Sequence, residues 1–193
     1  MSMEPVSFDL KDRVAVITGA TGVLGGVMAR GLAAHGVRVA VLGRNAENAA
    51  ALVQQIEAGG GEALATPADV LQKDQLERVR DAVMERWGRL DILVNAAGGN
   101  MPGATLQPGE SFFELGEEPM REVVDLNFMG TVLPTQVFGA AMAAGGGGSI
   151  INVSSMAAMR AITRVVGYSA AKAAVDNLTR WLAMELGQRY QGA

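Results

Sequence analysis

A chain of 193 residues, 49% apolar and with a net charge of −4, is one domain's worth of sequence with enough apolar side chains for a sizeable core. So small and negative a charge excludes nucleic acid and anionic membranes as main partners, since both call for a basic patch. The absence of cysteine removes disulfide frameworks and thiolate metal sites, and suits a reducing cytoplasm.

The lead from Met1 to Lys11 contains Glu4 and no apolar core, so it does not read as a signal peptide. No apolar run is long enough to span a bilayer, and no side chains cluster as metal ligands. The expectation is one globular, cytoplasmic domain over residues 1–193, with no metal.

Arg13 to Ile17 is a compact β-branched run of the kind buried on both faces of a sheet. The glycine-rich turn Thr18-Gly-Ala-Thr-Gly-Val-Leu-Gly25 follows, and Gly26 to His35 reads as a helix that Gly36 stops. His35 falls at the helix end, where a cap-region role fits better than catalysis. Val37 to Leu42 is a second strand, Asn45 caps the next helix, and Gly59-Gly-Gly61 ends it. Glu62 to Thr66 is a short third strand leading into Pro67-Ala-Asp69-Val70. The helix from about Gln72 to Trp87 carries Leu76, Val79 and Val83 at core spacing. Leu90 to Asn95 is a fourth strand, closed by Ala96-Ala-Gly98.

Gly99 to Gly116 is too long for a mere connector, which points to a binding role. A helical pattern resumes at Glu117 and runs through Val123, Leu126 and Val132, with a kink expected at Pro134. Gly145-Gly-Gly-Gly148 reads as a tight surface loop, because a fifth strand, Ser149 to Ser154, follows at once. The last helix runs from about Gly167 to Tyr190. Alternation of strand and helix predicts an α/β fold, a doubly wound parallel sheet of Rossmann type with helices on both faces.

Ligands of such sheets bind beyond the carboxyl ends of the strands, where Gly19, Arg44, Asp69, Asn95 and Ser155 fall in turn. The stretch Gly19, Thr21, Gly22, Val23, Leu24 and Gly25 lies between a strand and a helix, the context a pyrophosphate-binding turn requires. After the second strand stands Arg44 with no acid beside it, which favours the 2′-phosphate of NADP, with NAD as the alternative. Asp69 is placed to accept from the adenine amine, or else to cap the helix near Gln72.

Tyr168 and Lys172 lie four residues apart at the start of the last helix, hence on one face and one turn apart. A nearby ammonium favours an ionised phenol and suits the pair to acid/base chemistry, although two such residues in isolation are more often ordinary helix surface.

Taken together, Thr18-Gly19 with Gly22 and Gly25, Asp69-Val70, Asn95-Ala-Ala-Gly98, Asn127 with Gly130, Ser154-Ser155, and Tyr168 with Lys172 resemble the short-chain dehydrogenase/reductase family over essentially the whole chain. The resemblance implies hydride transfer between a nicotinamide and a carbonyl or alcohol carbon, with Asn127, Ser155, Tyr168 and Lys172 as the catalytic set. It adds Val70, Asn95, Ala96 and Ala97 to the cofactor contacts, and gives Tyr168 and Lys172 a second role there. Asn127 is expected to hold a water linking Lys172 to solvent, or alternatively to satisfy backbone groups at a helix irregularity.

Two departures stand out. The family's main type carries a glycine where this chain has Val23, and the spacing of Gly22 and Gly25 is nearer its extended type. The family also continues with a sixth strand, a substrate-covering loop and a seventh strand, so the resemblance implies that the domain ending at Ala193 is incomplete at its C-terminus. The fifth strand is then expected to be an open edge.

Gly98 to Thr105, Leu126 to Gln136 and Trp181-Leu-Ala are similar to the D-mannonate oxidoreductase (D-fructuronate reductase) branch. For a sugar-acid substrate, Arg160 and Arg164 are candidate carboxylate clamps and Asn100 a candidate for sugar hydroxyls. The alternatives are a reductase of 3-oxoacyl thioesters or neutral sugars, and an inactive dinucleotide-binding fragment. A full-length chain of this family is expected to be a homo-oligomer through its two long helices.

Overall fold

A computed structural model describes residues 9–190, so most of the lead Met1 to Lys11 and the last residues up to Ala193 fall outside the described residues. Five strands, β1 (Val14–Thr18), β2 (Arg38–Gly43), β3 (Glu62–Pro67), β4 (Ile92–Asn95) and β5 (Ser149–Asn152), form one parallel sheet in the order β3-β2-β1-β4-β5. The helices are α1 (Val23–Ala34), α2 (Ala46–Ala58), α3 (Lys73–Trp87), α4 (Glu117–Val124), α5 (Gly130–Ala144) and α6 (Val166–Arg189).

Alternate residues of β1 feed two cores. Val14 and Val16 pack with Leu76, Val79 and Val83 of α3 and Val137 and Phe138 of α5. Ala15 and Ile17 pack with Ala29 and Ala33 of α1 and Leu52 and Ile56 of α2. Both faces of β1 are therefore buried, which is why its sequence is continuously apolar rather than alternating. β5 pairs only with β4, and Ser149 and Ile151 on it are exposed, so the expected open edge is present among the described residues.

Two local expectations hold in detail. His35 caps the end of α1 with its ring Nδ1 2.9 Å from the Gly31 carbonyl, and Asn45 caps α2 by accepting from the Asn48 N–H at 2.8 Å. One other is corrected. The first helix begins at Val23, not Gly26, which puts Val23, Leu24 and Gly25 in its first turn.

A π-helical segment over Asp125–Met129 separates α4 from α5 upstream of Pro134, and α5 continues through Pro134. The cause is Asn127, whose side-chain amide donates to the Val123 carbonyl at 2.8 Å and so inserts into the helical ladder.

At the opposite end of the sheet from the glycine-rich turn, buried Asp91 accepts from Arg13, Arg89 and the Val14 N–H, fixing the starts of β1 and β4. Burial pushes its carboxyl up, but the hydrogen bonds from Arg89, Val14 and Arg13 outweigh this and hold it below the ordinary carboxylate value. The stability it contributes is present above the unfolded carboxylate value of about 3.9 and is lost as pH falls through the lower folded value. Asp91→Asn is expected to cost about 1–3 kcal/mol at neutral pH and to flatten the acid limb of the stability curve. Urea titrations at pH 7 and pH 3 measure both.

Candidate active site

Beyond the carboxyl ends of the strands, β1 turns one way into α1 and β2 while β4 lies on its other side. A crevice of about 390 Å3 opens at this switch point, lined by Gly19, Thr21, Gly22, Val23, Leu24, Gly25, Arg44, Asp69, Val70, Ala96 and Ala97. Glycines allow the close approach. Gly19 has φ +64°, and a Cβ there would meet the Ala96 carbonyl oxygen at 2.8 Å. A Cβ on Gly25 would stand 2.3 Å from the Gly19 oxygen, so α1 seats directly on the turn.

The start of α1 has the character of an anion site. Gly22 at its cap supplies no side chain, no acid stands in the first turn, and Val23, Leu24 and Gly25 carry N–H groups that a helix of this geometry leaves without intrahelical partners. A dinucleotide's pyrophosphate fits that donor set, and Leu42, Ala68 and Val70 offer apolar walls for an adenine. Asp69 does not cap α3, whose N-cap is Gln72; its carboxylate accepts from the Leu71 N–H at 2.9 Å and closes a turn on the crevice wall.

Gly98 joins this crevice to Asn127 and Lys172, two of the residues expected to be catalytic. A Cβ on it would stand 2.6 Å from Asn127 Oδ1 and 3.3 Å from Lys172 Nζ, so the backbone passes between those two side chains only because it carries none. Lys172 is buried, donates from Nζ to the Val153 carbonyl at 2.8 Å, and lies 5.8 Å from the centroid of the Tyr168 ring. Burial pushes its ammonium below the ordinary lysine value, and Asp176 partly restores it. Ser155 begins the 3₁₀ turn Met156–Ala158, which packs on α6, and its Oγ accepts from the Ala157 N–H at 3.2 Å.

Asn127 is fully buried and its side chain is committed to backbone: Nδ2 donates to the carbonyls of Val123 and Gly99, and Oδ1 accepts from the Gly99 N–H at 3.0 Å. The alternative reading, that it satisfies backbone groups at a helix irregularity, describes its side chain as found. Its own carbonyl accepts from the Thr131 hydroxyl.

Of the other expected site residues, two have partners elsewhere and two are exposed. Asn95 is not on the crevice lining; its Nδ2 donates to Thr135 Oγ1 at 3.0 Å and to Asn152 Oδ1 at 2.9 Å, tying β4 to α5 and β5. Arg164 turns its guanidinium onto Leu106 and Gln107 rather than leaving it for a substrate. Asn100 and Arg160 are exposed, and among the described residues Arg160 forms no ion pair.

Two positions carry roles the sequence reading did not give them. Thr18 Oγ1, fully buried, accepts from the N–H groups of both Ala96 and Ala97 at 3.1 Å and so sets the floor of the crevice. Gly167 lets α6 approach α4, since a Cβ there would meet Val123 Cγ1 at 2.6 Å. In the sequence Thr18 stood out only as part of Thr18-Gly19, and Gly167 only as the start of the last helix.

Comparison with known proteins agrees with this geometry. Residues 13–190 match the family described as short chain dehydrogenase. The oxidoreductase UxuB of Bacillus subtilis, itself uncharacterized, is 42% identical over 194 residues, covering 96% of this chain and 70% of the relative. A D-threitol dehydrogenase of Mycolicibacterium smegmatis is 37% identical over 182 residues, covering 94% of this chain and 67% of the relative.

Among solved structures, a provisionally named D-mannonate oxidoreductase from Haemophilus influenza with bound NAD superposes with a TM-score of 0.87 at 37% identity, over 93% of this chain and 68% of that one. A metagenomic short-chain oxidoreductase in complex with NADP gives 0.84 at 31% identity, over 94% of this chain and 79% of that one.

Proposed function

The chain belongs to the short chain dehydrogenase family, and from that premise we propose that it moves a hydride between a nicotinamide cofactor, NADP in preference to NAD, and the carbonyl or alcohol carbon of a sugar acid of the D-fructuronate/D-mannonate type. The observation that carries the reading is the meeting of Lys172 and Asn127 around Gly98 at the end of the crevice, with Tyr168 one turn from the lysine.

When bound, the nicotinamide supplies or accepts the hydride. The first turn of α1 would hold the pyrophosphate, the Asp69 carboxylate would accept from the adenine amine, and Lys172 would hold the ribose hydroxyls. Ser155 Oγ accepts from the Ala157 N–H, which leaves its hydroxyl hydrogen free to donate to the substrate's oxygen and orient it. Tyr168 gives its phenolic proton to that oxygen in reduction and takes one from the alcohol in oxidation.

NADP is favoured by Arg44, an exposed permanent cation on the crevice wall with no acid beside it at the end of β2. Arg44→Asp is expected to raise the KM for NADPH by roughly 10-fold or more and to leave or lower that for NADH. Parallel titrations with the two cofactors read this directly.

For the substrate, Arg160 and Arg164 are both exposed cations between Ser155 and Tyr168, but Arg164 is bonded to Leu106 and Gln107, so Arg160 is the one that suits a carboxylate. The D-threitol dehydrogenase relative favours a second reading, a neutral polyol or ketose. A screen of keto-sugar acids, their neutral counterparts and acyl thioesters with NADPH tests the first reading, and equal turnover without the carboxylate overturns it. The curated relatives are longer, this chain spanning 65–70% of the first two, and catalysis is proposed for the full-length protein. Pairing with a second copy through α5 and α6 belongs to the same reading, with Trp181 and Met184 exposed on α6.

A further inference from the structure

Arg164 has φ +77°, one of two non-glycine residues in the left-handed region among those described. Arginine is not favoured there, so the conformation is held by what the residue bonds. Its carbonyl accepts from the Leu106 N–H at 2.9 Å, its Nε donates to the Leu106 carbonyl, and its terminal amine donates to Gln107 Oε1 at 3.2 Å. One residue thus grips both backbone groups of a residue 58 positions away in the chain.

The far end of the same loop is gripped in the same manner. Gly99 donates its N–H to Asn127 Oδ1 and accepts from Asn127 Nδ2. Between the two grips the chain is internally braced: Thr105 Oγ1 donates to the Met101 carbonyl at 2.8 Å, and Gln107 Nε2 donates to the Thr105 carbonyl at 3.1 Å. The 3₁₀ turn Pro102–Ala104 buries Ala104 and packs against α4 and α6, the latter carrying Tyr168 and Lys172.

We propose that Arg164 is a positioning residue, which fixes the wall Asn100–Thr105 of the substrate site by clamping Leu106 at its N–H and its carbonyl. The inference rests on the reading of that stretch as a substrate wall. It assigns Arg164 no contact with substrate, because a carboxylate could take its Nε only by displacing the bond to Leu106. Arg160 is left as the cation available to a charged substrate. The clamp also couples two segments that flank the catalytic groups, the loop after β4 and the stretch between Ser155 and Tyr168, so that neither moves without the other.

Two variants separate the clamp from its alternatives. Arg164→Ala removes the guanidinium and keeps the unfavourable φ, whereas Arg164→Gly removes the guanidinium and relieves it. Amide hydrogen exchange over 100–107 is expected to quicken at least about tenfold in both, with exchange over 167–175 and the Tm little changed. With NADPH as cofactor, the KM values for D-fructuronate and for neutral D-fructose are expected to rise by the same factor, with kcat changed less.

Unchanged exchange over 100–107 would overturn the clamp. So would a rise in KM confined to D-fructuronate, which would make Arg164 a carboxylate ligand. Faster exchange in a protein that turns over neither ketone would support the clamp and count against the proposed substrate class instead.

Discussion

Replacing Tyr168 with Phe is expected to lower kcat/KM for carbonyl reduction by about 10²–10⁴-fold, the range general acid/base catalysis supplies, with cofactor affinity nearly unchanged. The substitution removes one oxygen and little packing. The start of α6 is seated by Gly167 against Val123, and the buried residues that hold the helix, Ala171, Lys172 and Val175, lie further along it. What disappears is the proton that must reach the substrate's oxygen as the carbonyl is reduced.

Steady-state rates followed by NADPH absorbance, together with a fluorescence titration of cofactor binding, separate the two effects. A variant that keeps a tenth or more of the parent rate would falsify the assignment of Tyr168 as the proton donor. Ser155→Ala in the same assay is a useful companion, because Ser155 orients the oxygen without supplying the proton.

Replacing Lys172 with Met should separate activity from stability. Catalysis is expected to fall by about 10²-fold or more, since the cofactor's ribose loses its ammonium and the acid/base pair loses its charge. Folding stability at neutral pH is expected to rise, because the lysine is 4% exposed and burial penalises its charged form more than Asp176 restores it.

The sign follows from proton binding. With the folded value below the unfolded one, about 10.4, the unfolded chain binds more protons between the two, and the parent's stability rises with pH across that window. The advantage of the methionine variant is therefore greatest below the folded value and shrinks as pH rises through it. A Tm increase of about 2–4 °C at pH 7 that narrows as pH rises toward the unfolded lysine value is the expected record, and a variant destabilised at every pH would show that the bond to the Val153 carbonyl outweighs the buried charge. A stability cost placed at a catalytic position is the usual compromise between folding and function.

Much of this was legible in the sequence, for a physical reason that differs from element to element. The strands announce themselves because a parallel sheet covered on both faces demands unbroken apolar runs, as in Val14 to Ile17 and Val39 to Leu42. The crevice was legible because a tight turn into a helix needs glycine, and strand ends in this architecture gather at one edge. Eleven of the expected cofactor residues, from Gly19 to Ala97, do line a single crevice. Tyr168 and Lys172 meet because four residues along a helix is a local geometry, fixed by the backbone alone.

What only the tertiary structure decided is where long-range partners fall. The strand order β3-β2-β1-β4-β5 brings Asn95 beside Asn152 and so turns an expected cofactor contact into a brace between strands. Asn127 is committed to Gly99 and Val123, and its side chain sits in the helix irregularity at Asp125–Met129. Arg164 closes on Leu106 across 58 positions of chain, a match no spacing rule contains. By itself the sequence determined the fold class and which residues gather along the crevice, because local geometry and burial patterns encode them. The roles of its polar side chains were settled by packing, because a donor takes whichever acceptor the folded chain brings within reach.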